Sequence, residues 1–389
     1  MNRDVEPVVQ WLIDGARTAT MPQEVLATLC DRVVACGIPL WRVAVFVRTL
    51  HPNLAGRRFE WQLGKGVTIA ELPFQALDEA TSVDSPVLRV CQTGLPIRCR
   101  LDIEPADSSL PALELLRSEG VTDYWATPLL FSNGEVHGTS WATRQAGGFT
   151  EEETRAIGRL LAPLARVAEI HALRRTAINL LDAYVGRRSG ERILSGAIRR
   201  GETETIHAAI WLSDMRGFTP LADRLPPAQL LAILNRYFDC QIPAITRHGG
   251  EILKFIGDGL LAIFPIDETN VATVCANALA AAQEASAALA LVAAGPDVGA
   301  GGLRFGIALH VGEVEYGNMG GEKRLDFTCI GPAVNLAARL EKLTGKLDCH
   351  IVASSAFASH CPTPLQSIGE FALAGFARPE TIYTLQTTS

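Results

Sequence analysis

The chain predicts an α+β protein of two domains joined by a helix, on three observations. Its 389 residues exceed one typical domain. Apolar residues make up 48% of it, enough for two cores. Short β-forming runs mix with runs of helical period both before and after a long helical stretch that opens at Thr150. The net charge of -7, with no block of like charge beyond Glu151 to Glu153, argues against a nucleic acid or an anionic membrane as partner. Nine scattered cysteines without a C-x-x-C, in a chain lacking a secretory start, read as reduced thiols of a cytoplasmic protein.

Residues 1–149 read as an α+β module. A helix over QEVLATLCDRVVACG stops at Gly37, and WRVAVFVRTL follows as a strand. The runs YWATPLLF and EVHGTSWAT flank Asn133-Gly134, a two-residue hairpin signal. Residues 150–206 read as a helical signalling linker. Thr150 and Glu153 form a capping box, and Pro163 is expected to kink or restart the helix. Beyond it Val167, Ile170, Arg174, Ala177, Leu181 and Tyr184 step as a heptad seam, which predicts a stalk between two copies or a helix packed on its own domain. Gly186, Gly190, Gly196 and Gly201 are expected to break it into a basic linker.

Residues 207–389 alternate. The strand AAIWLS leads to a helix opened by Pro226-Pro227 and closed by Gly249-Gly250. ILKFIGDGLLAIF follows as a hairpin with Asp258 at its tip. The Ala-rich window Val271 to Ala294 is interrupted by Asn277, Gln283 and Glu284, so it reads as a packed helix and no membrane span is expected. The strand LRFGIALH, the turn-rich GNMGGEKR, the strand DFTCI and a helix carrying NLAARLEKL complete the order.

Asp214 ends one strand and Asp258 tips a hairpin, so adjacent strands would bring two like charges to one edge of a sheet. Such a pair needs a countercharge, and hard oxygen ligands select Mg²⁺ or Mn²⁺. That suggests a two-metal phosphoryl site. Either acid alone equally fits a plainer role, Asp214 as a turn cap and Asp258 as a hairpin former. Gly217, Phe218 and Thr219 lead into a helix, where successive N–H groups suit phosphate oxygens. Lys254 lies at even spacing from Asp258 along its strand. Asn335 and Arg339 share a helix face, aiming an amide and a guanidinium together, although Arg339 also fits an exposed helix salt bridge.

The ordered set WLSDMRGFT, ILKFIGDG, LRFGIALHVGEV, DFTCIGPAVNLAARLE and GEFALAGFARPETIYTL resembles the catalytic domain of class III nucleotidyl cyclases over nearly all of residues 207–385. The resemblance implies a ferredoxin-like βαββαβ core that works as a homodimer, with each site across the interface. It implies that Asp214 and Asp258 of one copy hold two metal ions and that Arg304 contacts the polyphosphate. From the other copy Lys254 and Thr328 would read the base, Asn335 would position the ribose and Arg339 would stabilise the transition state. Lys254 can donate to adenine N1 and Thr328 can accept from the exocyclic amine, which favours ATP. The family's guanylyl cyclases typically carry Glu and Cys there, and Thr328 in place of Asp resembles a bacterial subclass. Two positions depart from the family. Pro332 stands where a polar or acidic residue often sits, and Ala374 stands where some members have a phosphate-binding Lys. The function expected is adenylate cyclase; the alternatives are a guanylate cyclase and a catalytically silent cyclase-like module.

GGFTEEETRAIGRLLAPLARVAEI and the region before it, roughly residues 20–175, resemble a GAF-type sensor domain. Its signal, a small molecule or a protein, is not readable, and the N-K…F-x-x-x-D-E pattern of cyclic-nucleotide-binding members is absent.

Overall fold

The computed structural model describes residues 4–75, 85–103, 111–267, 270–293 and 304–385. The chain divides into two compact units, Met1–Leu180 and Leu181–Ser389.

In the first unit, helices α1 (Glu6–Ile13) and α2 (Pro22–Ala35) precede strands β1 (Arg42–Arg48), β2 (Leu54–Gln62) and β3 (Gly66–Pro73). Helix α3 (Pro86–Thr93), β4 (Ile97–Arg100), α4 (Pro111–Ser118), β5 (Asp123–Leu130) and β6 (Val136–Thr143) follow. The six strands form one antiparallel sheet in the order β3-β2-β1-β6-β5-β4. Val43 and Val45 of β1, with Trp61 and Trp141, pack one face of this sheet against α2 and the long helix α5 (Glu151–Val185). Tyr124, Ala126 and Ala142 pack the other face against Val90, Leu113 and Leu116 of α3 and α4.

Three expectations for the connecting helix meet different outcomes. Its capping box forms: the Thr150 N–H donates to Glu153 Oε2 at 2.7 Å and the Glu153 N–H to Thr150 Oγ1 at 3.3 Å. Pro163 neither ends nor restarts it, for α5 continues through it as one 35-residue helix. Leu160 and Leu164 on either side are both buried in the first core, so the segments before and after the proline pack on the same surface. The heptad seam is divided: Val167 is drawn into the core, whereas Ile170 and Tyr184 are 62% and 82% exposed. The glycines do not simply unwind the chain either. Gly186, at φ 86°, ends α5, but Gly190 lies buried inside a further helix, α6 (Arg187–Leu194). The Ser189 N–H and hydroxyl both donate to Glu251 Oε1 at 3.1 Å, which fastens α6 to β8 (Glu251–Ile256) within the second unit.

The second unit is built on an eight-stranded sheet. Its strands are β7 (Thr203–Met215), β8 (Glu251–Ile256), β9 (Gly259–Pro265), β10 (Phe305–Gly321), β11 (Arg324–Ile330), β12 (Ile351–Ala353), β13 (Gln366–Phe371) and β14 (Glu380–Thr384). They lie in the order β13-β14-β12-β10-β7-β9-β8, with β11 paired to β10 off this path. Helices α7 (Phe218–Arg224) and α8 (Pro227–Arg247) separate β7 from β8, α9 (Val271–Ala293) lies between β9 and β10, and α10 (Pro332–Leu347) follows β11. A short α11 (Ser355–His360) follows β12.

Side-chain alternation along β7 sets up three layers. Ala209, Trp211 and Met215 face α8 and α9, burying Tyr237, Cys240, Cys275 and Leu279 with them. Ala208 and Ile210 face the other way, toward Ala333 and Ala337 of α10. Helix α9 is long and apolar enough to cross a bilayer by length and composition, but Cys275, Ala278, Leu279 and Ala282 are buried in this core. The segment GNMGGEKR is less turn than strand, since β10 runs on to Gly321 and β11 pairs back along it from Arg324.

Candidate active site

Strand β7 is apolar through Leu212 and central to the sheet, so its last residues are rigidly placed. Asp214 sits opposite Gly306 of β10, and β9 reaches Leu260 opposite Ser213. The β8–β9 turn, which holds Asp258, therefore lies at the same end of the sheet. Burial first, then the neighbouring Asp258 carboxyl, pushes the Asp214 carboxyl up to about 7. The pair thus retains a proton well above the usual carboxylate range. Gly259 has no side chain for a reason: a Cβ there would lie 3.4 Å from Asp214 Oδ1 and 3.2 Å from the Ser213 carbonyl.

Beneath Asp214, Ser213 points to the opposite face, where its hydroxyl donates to Gln241 Oε1 at 2.6 Å. Tyr237 is buried beside them, and burial, with the two carboxylates adding, raises its phenol above the ordinary range. Asp214 itself faces α10. Here the Thr344 side chain of α10 packs directly on the β10 backbone, because a Cβ on Gly306 would fall 1.9 Å from Thr344 Oγ1. This contact brings Glu341 of α10 near the acid pair, and its carboxyl is raised by burial and by Asp258. Among the described residues no three His, Cys, Asp or Glu side chains converge as a ligand group.

Gly217, in the left-handed region at φ 75°, turns the chain into the short helix α7 and lies exposed, as does Thr219. Phe218 packs against the core and anchors that turn. The Arg216 N–H donates to the Arg304 carbonyl at 2.8 Å, which sets Arg304 at this same end of the sheet. Both guanidinium groups reach Asp348, Arg216 at 3.1 Å and Arg304 at 3.5 Å, and Arg216 also donates to the Thr344 carbonyl at 2.6 Å.

The remaining predicted residues form a second group. Lys254 of β8 is ion-paired with Asp326 of β11. Asp326 and Thr328 are two residues apart on β11 and so share a face, which brings Lys254 and Thr328 to one neighbourhood. Asp258 is in the turn, not on the strand, so the even spacing from Lys254 does not place them on one face. On α10 Asn335 is exposed, and Arg339 Nε donates to the Ala374 carbonyl at 3.1 Å. Among the described residues no hydrogen bond or ion pair joins Lys254, Thr328, Asn335 or Arg339 to Asp214 or Asp258.

Helical geometry makes that separation firm. Residues two positions apart on an α-helix point about 200° from one another. Glu341 feels the charge of Asp258, and Arg339, two residues earlier, is turned to the Ala374 carbonyl. Glu341, Asp326, Arg216 and Asp348 were not singled out from the sequence. Only the D-x-T alternation of DFT and the acid two places after Arg339 hinted at the first two.

Residues 202–387 match the family described as the adenylate and guanylate cyclase catalytic domain. The adenylate cyclase of Anabaena cylindrica is 32% identical over 167 residues, which is 43% of this chain and 33% of that protein. The chain spans about a third of the length of such curated relatives. Among solved structures, the adenylyl cyclase CyaB from P. aeruginosa is 27% identical, covering 48% of this chain and 97% of that one at a TM-score of 0.41. The guanylyl cyclase Cya2 is 31% identical, covering 48% and 96% at a TM-score of 0.42.

Proposed function

We propose, from residues 202–387 being a class III adenylyl/guanylyl cyclase catalytic domain, that the chain is an adenylate cyclase. It converts ATP to 3′,5′-cyclic AMP and pyrophosphate at sites shared between two copies of itself. One observation carries the reading: Asp214 and Asp258 lie close enough at one end of the sheet for each charge to be felt, while Arg339 of the same chain is bonded to the Ala374 carbonyl and to neither acid. A second copy is needed to supply Asn335 and Arg339 to that acid pair. The order β10-β7-β9-β8, with α8 and α9 on one face, supports a ferredoxin-like core within the larger sheet.

The acid pair fits divalent cations. Two neighbouring carboxyls, one raised to about 7, supply hard oxygens whose repulsion a cation relieves, and nucleotide phosphates complete the coordination that two side chains leave open. Two Mg²⁺ or Mn²⁺ ions held there by Asp214 and Asp258 would lower the pKa of the ribose 3′-hydroxyl and withdraw charge from the α-phosphate. The chain's own residues do the rest. Gly217, Phe218 and Thr219 offer backbone N–H groups to the phosphates, and Arg304, steered by Asp348, reaches the leaving pyrophosphate. From the other copy Lys254 donates to adenine N1 and Thr328 accepts from the exocyclic amine. Asn335 orients the ribose and Arg339 meets the charge that builds on the phosphorus. The first unit, an antiparallel sheet under helices, serves as a GAF-like sensor domain, and the helical segment after it passes on its state.

The test is a cyclic-nucleotide assay of the full chain with ATP and with GTP, in Mg²⁺ and in Mn²⁺, together with complementation. Asp214→Ala and Arg339→Ala should each be inactive alone, and mixing them should restore up to about a quarter of the activity through one intact composite site. Failure of the mixture to recover activity refutes the shared site. Preference for GTP refutes the base assignment.

A further inference from the structure

The first unit holds a cavity of about 430 Å³ between the sheet, α2 and the long helix α5. That volume lies within the range of small-molecule sites, roughly 300 to 1,000 Å³. Its wall is ordered by the strand register. Val45 of β1 lies opposite Phe59 of β2, which lies opposite Ile69 of β3, and these three make an apolar row across the sheet. One step along β1, Val47 lies opposite Arg57, which lies opposite Glu71 and is bonded to it at 2.6 Å.

Helix α5 repeats the same gradient. Leu164, Val167 and Ala168 line one end of the cavity, and His171, Arg174 and Arg175 line it one to two turns further on. The direction is fixed by Asn179, whose Nδ2 donates to Thr49 Oγ1 at 3.3 Å and to the Leu50 carbonyl at 3.4 Å. The Arg175 end of α5 therefore lies beside the Val47 and Arg57 end of the sheet. The cavity is apolar at one end and cationic at the other. No carboxylate is among the described residues lining it; next to it Glu71 is bonded to Arg57, and Glu24 is held by the lining residues Thr20 and Met21. His171 is held below its ordinary pKa by burial and by Arg174, so an anion entering there meets an imidazole able to take up a proton.

We infer that this cavity binds a small amphipathic organic anion, an apolar chain or ring bearing one carboxylate. The apolar body lies along Val45, Phe59 and Ala168, and the carboxylate meets the Arg57, Arg174 and Arg175 end. This does not rest on the cyclase reading, because binding is measured without turnover. The helix that forms half of the site continues to Val185.

The experiment is calorimetric titration of the full chain with decanoate below its micellar concentration, with decanol as the neutral counterpart. Saturable binding of one decanoate per chain is expected, with decanol at least tenfold weaker. Arg174→Glu combined with Arg175→Glu, both at exposed positions, should weaken decanoate at least tenfold and leave decanol unchanged. Ala168→Trp fills the cavity and should abolish both, with circular dichroism checking the fold. Three results overturn the inference: no saturable uptake by the wild-type chain, decanol binding as tightly as decanoate, or decanoate binding indifferent to the charge reversal. Loss of decanoate uptake in a chain that dimerises through this face, measured by sedimentation, overturns it in favour of a second copy as occupant.

Discussion

The raised Asp214 carboxyl leads to an expectation about stability before any catalysis is measured. Without metal, the Asp214 carboxyl has a folded pKa of about 7 against an ordinary 3.8. A carboxyl raised in this way favours the fold in its protonated form. Its contribution is complete below about pH 4 and is lost as pH rises through about 7. At about 1.36 kcal/mol per pKa unit the full difference is roughly 4 kcal/mol. The side chain is only half-buried, and screening by solvent cuts this to about 2 kcal/mol. For a unit of about 200 residues that is a fall of about 4 to 8 °C in unfolding temperature.

The assay is thermal unfolding of the full chain in chelator from pH 5 to pH 8.5, beside Asp214→Asn. Taking the difference between the two proteins cancels other titrations, such as His310, which burial holds down to about 4 and which loses stability in the opposite direction, as pH falls. Relative to Asp214→Asn, the wild type should lose roughly 1.3 kcal/mol across this window, since the part between pH 3.8 and 5 is already gone at its start. Magnesium with an unreactive ATP analogue should remove the loss, because a cation replaces the proton, and the apparent metal affinity should fall about tenfold for each pH unit below about 7. Parallel curves for the two proteins, or a wild type that gains stability with pH, would refute the paired-acid argument.

Two further substitutions test the rest of the site. Asp326→Asn removes the exposed partner of Lys254, an ion pair worth at most about 1 kcal/mol, so KM for ATP should rise by up to about fivefold with little change in kcat. An equal fall in kcat would place Asp326 elsewhere in the reaction. Gly306→Ala drives a methyl into Thr344 and should cost about 1 to 3 kcal/mol by thermal unfolding while weakening metal binding through displaced α10; an unchanged unfolding temperature would mean that the helix does not rest on this backbone.

The residues legible in the sequence are those whose role is written in local chemistry. Asp214 ends an apolar run and Asp258 sits between two glycines at a hairpin tip, so strand ends and turn residues pointed to one sheet edge without tertiary knowledge. Glu341 was not legible, since its approach to the acids depends on a helix resting on Gly306, a contact between residues 38 positions apart along the chain. Asp326 was missed because its value to Lys254 depends on β11 leaving the main path of the sheet to fold back along β10. The same limit explains the long helix. Proline chemistry predicts a break at Pro163 and heptad spacing puts Val167 on an outward seam, yet burial of Leu160, Leu164 and Val167 in one core outweighs both local rules. Spacing can say that Asn335 and Arg339 share a face, but not toward what that face turns. That Glu341 lies within the field of Asp258 while Arg339, two residues earlier, is held by the Ala374 carbonyl depends on how α10 is seated, which spacing alone does not carry.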